Sequence, residues 1–424
     1  MQLPPNHPER FMLAEEAHAR PPELLETPSR ASYVAVLMDP DDRDRERAHL
    51  GALCELFGAP PPPPGATHYA VQVGDLRVKW ERHGEFSGYT LFATGRSVSP
   101  FDSPPASALP PDWLSAIPGA TVVAAHAELV PGDEALWGPD FSNDYFNGNI
   151  VVGAEIGDGA GRVYTDFKIH DDGYSRFVVL DQGLTPRQAG RTLQRLFEIE
   201  AYRIMALLAL PIARRQSPRI VAIEKSLASL TDAIAQEGGD DEALLHELTR
   251  LAAEVERALA ASQFRFGACR AYFELVVTRI GELRETRLPG VQTIQEFMAR
   301  RFTPAVATCS TTSQRLHDLS ERVAQASALL STRVSIARER QNQSVLTSMD
   351  RRAKQQLRLQ QTVEGLSLAA IVYYLAGLAF YVAKGLKAGG LHFEPDLAVG
   401  VAIPLIAVAV FMGLRRVRRK LGRD

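Results

Sequence analysis

At 424 residues the chain has room for two or three domains, and its 46% apolar and 23% charged residues are the mix of a globular protein rather than a disordered one. A formal net charge of −3 excludes a general attraction to nucleic acid, and no nucleic-acid partner is expected. Charge is uneven, however: Arg415, Arg416, Arg418, Arg419, Lys420 and Arg423 crowd the last segment against a single Asp.

The first residues, "MQLPPNHPERFMLAEE", lack a basic stretch followed by an apolar core, so no secretory signal is predicted. The segment "EEAHARPP" (15–22) sets Glu15, His18 and Arg20 ahead of two prolines that stop a helix. Its expected role is to anchor an N-terminal arm by hydrogen bonds. "ASYVAVLM" (31–38) reads as a strand, followed by a charged helix to about Phe57 and a stiff "GAPPPPPG" turn. Further strands are predicted at "THYAVQV", "LRVKWERH", "YTLFAT", "TVVAAHAELV", "NIVVGAEI", "RVYTDFKIH" and "RFVVLD", several of them joined by glycine-containing hairpin turns. Residues 1–183 are therefore expected to form an α+β domain, placed in the cytoplasm.

The segment richest in chemistry is "KWERHGEFSGYT" (79–90). On a continuous strand Glu81, His83 and Glu85 would share one face, with Trp80 and Arg82 on the other. Two carboxylates around an imidazole can bind a divalent cation or handle a proton. The alternative is a solvated strand face of paired charges. In "YTDFKIH", Asp166, Lys168 and His170 alternate in the same way and read as a similar polar face. There is no Walker loop, GxSxG, HExxH or dinucleotide fingerprint, so no cofactor and no enzymatic activity are expected.

At Thr185 the texture turns helical, with Thr185 at an N-cap and Pro186 at the first helical position. Glu198, Glu200 and Arg203 lie in a mostly apolar helix and suggest a half-buried ion pair. The helical domain is expected over 184–363, with breaks at Pro211, Pro218, Gly238-Gly239 and Pro289-Gly290. From about 304 a single stalk helix runs into the first apolar stretch, about 120 Å if continuous to 383. Leu316, Leu319, Val323, Ala326 and Leu330 keep a 3-4 spacing that predicts a coiled-coil-like seam. Beyond it "RERQNQS" (338–344) is polar all round, and either faces water or meets copies in a homo-oligomer.

Residues 365–383 and 397–414 carry no charge, and each is long enough for a helix to cross a bilayer. They make 364–424 a two-span transmembrane hairpin with the lipid bilayer as partner. Arg351, Arg352, Lys354 and Arg358 precede the first span and "RRVRRK" follows the second. The positive-inside rule places both termini in the cytoplasm and the loop 384–396 outside. Ala369, Ala376 and Ala383 share one helix face, which would let a neighbouring helix come close. In the loop, His392, Glu394 and Asp396 are candidate outer-mouth residues for a cation. The basic tail Arg415, Arg416, Arg418, Arg419 and Lys420 is a candidate lipid contact. Cys54, Cys269 and Cys309 show no CxxC or zinc spacing, and read as small buried residues in a reducing compartment.

The segments "EEAHARPP", "KWERHGEFSGYT", "VYTDFKIHDDGYSRFVVLD", "EIEAYRIMALLALPIAR", "FRFGACRAYFELVVTRIGELRETRLPGVQT" and "LQQTVEGLSLAAIVYYLAGL" together resemble the bacterial membrane-anchored family filed as domain of unknown function 3422. That resemblance covers almost the whole chain and implies a bacterial inner-membrane protein, without an activity. The order of parts is also similar to CorA-type magnesium transporters. In that family the first span ends in Gly-Met-Asn, whereas Gly390 is followed here by Leu391 and His392. The resemblance thus implies an oligomeric cation conduit, but not magnesium selectivity. The alternative is a membrane-anchored binding or regulatory module that transports nothing.

Overall fold

The computed structural model describes residues 3–16, 21–132, 140–236, 240–390 and 394–421, with side chains at 12, 15, 16 and 417–421 left aside. It divides into two compact units, 1–327 and 328–424. The first is α+β. Its helices are α1 (Arg10–Glu16), α2 (Arg43–Leu56), α3 (Phe141–Phe146), α4 (Pro186–Leu207), α5 (Leu210–Ala235), α6 (Asp241–Leu283) and α7 (Ile294–Arg301). Its strands are β1 (Ser29–Leu37), β2 (His68–Val73), β3 (Leu76–Arg82), β4 (Phe86–Thr94), β5 (Ala120–Pro131), β6 (Val152–Ile156), β7 (Gly161–Thr165), β8 (Ser175–Asp181) and the two-residue β9 (Thr286–Arg287). The strands form one mixed sheet in the order β2-β3-β4-β1-β5-β8-β7-β6-β9. The β5–β8 pair is parallel and the other ladders are antiparallel.

Each strand's alternation sorts its side chains between two covered faces. On one face Val34, Val36, Val78, Trp80, Tyr89 and Leu91 meet Leu50, Leu53 and Cys54 of α2. Inside this apolar layer the Glu46 carboxylate accepts from Trp80 Nε1 at 2.8 Å and from the Tyr89 hydroxyl at 3.0 Å. Arg43, one turn earlier on α2, pairs with Glu46 at 3.4 Å. The opposite face carries Tyr33, whose ring stacks on Phe197 of α4 with centroids 5.0 Å apart. Tyr33 can lie flat there because its neighbour is Gly88: a Cβ at that position would sit 3.0 Å from the tyrosine ring.

The helices follow the expected start signals. Thr185 caps α4 in a reciprocal box with Gln188, and Pro186 is the first helical residue. Pro211 opens α5, whereas Pro218 lies inside that helix instead of breaking it. α4 and α6 lie side by side near the sheet, joined where Arg195 reaches Glu282 at 2.9 Å. Helix α8 (Thr303–Ala388) begins against α5 and α6. There Arg315 pairs with Glu224 at 2.7 Å and Ser320 donates to Glu256 at 2.8 Å. The predicted seam residues Leu316, Leu319 and Val323 are buried within this single chain.

One strand prediction fails at its end. In "RVYTDFKIH" the ladder stops at Thr165, because Asp166 turns its carboxylate back onto the backbone N–H of Lys168 (3.2 Å). Asp166, Lys168 and His170 therefore share a loop rather than a strand face. Asn149 joins them by donating to Asp166 at 2.8 Å and accepting from Lys168 Nζ at 2.7 Å. His170 Nε2 is 3.0 Å from the Asp166 carboxylate, at an angle that makes no hydrogen bond.

The second unit holds the rest of α8 and α9 (Pro395–Leu421). Two helical segments are long and apolar enough to cross a membrane, with mean hydropathies of 1.9 and 2.6. Gly365, Ala369 and Ala376 of α8 line a shallow groove with Ile403 and Ala407 of α9. Two of the three alanines predicted to share a face thus lie where the helices come together, and the third, Ala383, is buried.

Candidate functional site

Polar side chains converge between the β1–β3–β4 end of the sheet and α4. Glu23, Tyr33, Lys79, Glu81, His83, Thr90, Gln194 and Glu198 line a small enclosed cavity of about 20 Å³, large enough for one water. Strand β3 supplies Lys79 and Glu81 on one face, and their side chains pair at 3.0 Å. Lys79 Nζ also donates to the Pro21 carbonyl at 3.1 Å, just after the "HAR" residues. The chain then runs tightly over α4, with the Leu25 N–H bonded to the Pro186 carbonyl at 3.0 Å. Gly190 of α4 is what permits this approach: a Cβ there would sit 1.7 Å from the Glu23 carbonyl oxygen.

The three residues expected on one strand face are separated by a turn. β3 ends at Arg82, and the His83 N–H closes the hairpin onto the Phe86 carbonyl at 2.8 Å. Glu81 and His83 both reach the cavity. His83 stacks on Phe86 with centroids 4.3 Å apart and meets the edge of Tyr202. Glu85 is carried past the turn to α6, where Arg265 grips its two oxygens at 2.5 and 3.0 Å. Tyr272 adds a hydroxyl donor to the same carboxylate, and burial together with that charge holds the phenol well above its ordinary pKa. With Glu85 spent on α6, Glu81 and His83 do not form a three-ligand cation site. Among the described residues no group of three His, Cys, Asp or Glu is placed to hold a metal ion.

The wall beyond the cavity is an ionic row that crosses from α4 to α6. Gln194 donates to Glu198 at 2.8 Å, and Arg279 of α6 donates to the other oxygen of Glu198. Glu200 and Arg203 form the predicted ion pair, bidentate at 2.6 and 3.0 Å. Burial, with Glu81 and Glu198 nearby, keeps Tyr33 and Tyr202 protonated far above the usual tyrosine range. The arrangement can order a water and hold protons, with Lys79 and Arg279 fixing the two carboxylates.

Glu23 and Lys79 also belong to a larger groove of about 590 Å³, lined further by Pro21, Pro63, His68, Tyr69 and Arg77. It opens beside β2, which lies at the end of the sheet. Arg77 reaches Glu23 at 2.6 Å across it. The sequence signal for this groove was the proline run between α2 and β2, which reads only as a spacer. Arg43 was also hidden in the sequence: from the far face it donates to Ser87 Oγ at 2.7 Å and to the His83 carbonyl at 3.1 Å, fixing the turn.

The remaining candidates lie in the second unit. His392 is outside the described residues, as are His18 and Arg20 near the N-terminus. Glu394 is paired with Lys387 at 3.0 Å. Asp396 stands in the first turn of α9, where an acidic side chain complements the helix dipole. Arg415 and Arg416 are exposed, while the side chains of Arg418, Arg419 and Lys420 are outside the described set.

No curated protein and no solved structure matches the chain, so neither comparison supports the likeness to magnesium transporters. A family model described as protein of unknown function (DUF3422) matches residues 5–421, and the chain belongs to that family.

Proposed function

We propose that this is a membrane-anchored binding or regulatory module of the bacterial inner membrane, with its α+β unit in the cytoplasm. The observation that carries the reading is the groove beside Lys79 and Arg77, which shares Glu23 and Lys79 as walls with the small polar cavity. A polar ligand there would compete for Lys79 and Arg77, which are held by Glu81 and Glu23 in its absence. The hairpin acts as the anchor, with Arg351, Arg352, Lys354 and Arg358 before it and the basic tail after it at the anionic inner leaflet. Replacing residues 364–424 by an unrelated two-span anchor tests this. Retention of the cellular role supports an anchor, and its loss overturns the proposal. A Lys79→Ala, Arg77→Ala variant that melts like the parent should lose that role.

A second reading, an oligomeric cation conduit of CorA-like architecture, is favoured by one feature of α8. Residues 335–363 are almost wholly exposed on a single chain, including Val345, Leu346, Met349 and Leu357. Copies packed side by side would cover them, and two spans enclose a path only when several chains meet. A monomer in detergent, or an oligomer that passes no mono- or divalent cation into liposomes, would sink this reading.

A further inference from the structure

Two of the three cysteines, forty positions apart and unremarkable in sequence, are brought together by the fold. Cys269 lies on α6 and Cys309 near the start of α8, and each is 2% exposed. The two thiols lie close enough that each is the largest influence on the other's titration. Both line one cavity of about 360 Å³, together with Phe266, Arg270, Phe273 and Val306. Simple core packing of two small residues would not need such a cavity beside them. Its volume admits a small oxidant, and its walls bring one cation, Arg270, to the sulfur pair. Arg265, one turn away on α6, is already committed to Glu85.

We propose that Cys269 and Cys309 are a redox-modification site, converted by a peroxide-class oxidant into a disulfide that ties α6 to the start of α8. The thiolate of Cys269 attacks one peroxide oxygen. The O–O bond breaks, the second oxygen leaves and is protonated to water, and the sulfur becomes a sulfenic acid. Cys309 then attacks that sulfur, releasing a second water as the S–S bond forms. Two thiols and one hydrogen peroxide give one disulfide and two waters. The Cys309 thiol beside it, and then Arg265 and Arg270, hold the Cys269 thiol below its ordinary pKa, which favours it as the attacking thiolate. Burial pushes Cys54 the other way, in the core beneath α2. It serves as an internal control.

The test treats the purified full-length chain, folded in detergent, with hydrogen peroxide. The chain is then denatured without reductant, labelled with a maleimide polymer, and mapped by peptide mass spectrometry. The expected result is a fall from three labelled thiols to Cys54 alone, a cross-linked 269–309 peptide, and recovery of label after dithiothreitol. Cys269→Ser and Cys309→Ser should each abolish the cross-link. Three labelled thiols at peroxide levels that oxidise free cysteine would overturn the proposal. So would a disulfide that uses Cys54 or joins only separate chains. The wild-type measurement alone decides, even if a variant folds poorly.

Discussion

At the scale of single residues, the first unit depends on a few buried polar groups that each satisfy several partners. Glu46 accepts from Trp80, Tyr89 and Arg43 in an apolar layer. Glu46→Ala removes the acceptor of the Trp80 and Tyr89 donors and the carboxylate that balances the buried Arg43 charge, and should cost about 3–5 kcal/mol in urea denaturation. His126 on β5 bonds Ser32 at 2.9 Å and stacks on Tyr174 with centroids 3.8 Å apart. Burial lowers its pKa to about 4, below the ordinary histidine value of about 6.5. The unfolded chain therefore binds the proton first as pH falls. Its contribution is whole above about pH 6.5 and drains away as pH drops toward 4, a loss of about 3 kcal/mol. Replacing His126 by Gln should flatten the pH dependence of unfolding across that window. Neither role was legible in the sequence. Glu46 sits in the charged run "RDRERAH", which looks solvated, and only the docking of α2 on the sheet hides one acid of that run. The "WERHGEF" cluster was legible as polar and dense, but not as divided, because alternation predicts a shared face only while a strand continues. The hairpin turn at His83–Glu85 sends Glu85 to α6.

At the scale of elements, helix caps and strand runs were the readable part. The eight longer strands, β7 cut short at Thr165, and the Thr185–Pro186 start of α4 stand where the alternation and cap residues place them. Thr185→Ala should weaken thermal stability by about 1 kcal/mol, since it removes a capping oxygen. The two-residue β9 and the short α3 carry too little pattern to be seen, and form because longer neighbours offer them partners. Gly190 is another such case, a glycine inside a helical period whose purpose is the passage of residues 21–25. Gly190→Ala should force that segment off α4, costing roughly 1–3 kcal/mol and exposing the N-terminal arm to limited proteolysis. Along α8, burial predicts contrasting protection. Amides near Leu316–Val323 should exchange slowly, and those in 335–363 quickly in a detergent monomer, as hydrogen exchange would show. Slow exchange in 335–363 would reveal copies packed over it.

At the scale of the whole molecule, the complete sheet and the cores of α2, α4 and α6 fall within residues 1–327. That fragment should therefore be soluble and melt in one cooperative transition, which calorimetry can check. The mixed sheet sets a timetable for the ribosome. Strands β2, β3, β4, β1 and β5 are all made by residue 131 and can zip together as antiparallel neighbours. The far side of β5 must then wait for β8, whose residues 175–181 are still unmade. For that interval the nascent chain carries a bare strand edge able to recruit another polypeptide. β8, itself paired with β7 and through it with β6, covers that edge. Synthesis pauses placed between residues 131 and 175 should thus be where aggregation, or chaperone capture, is greatest.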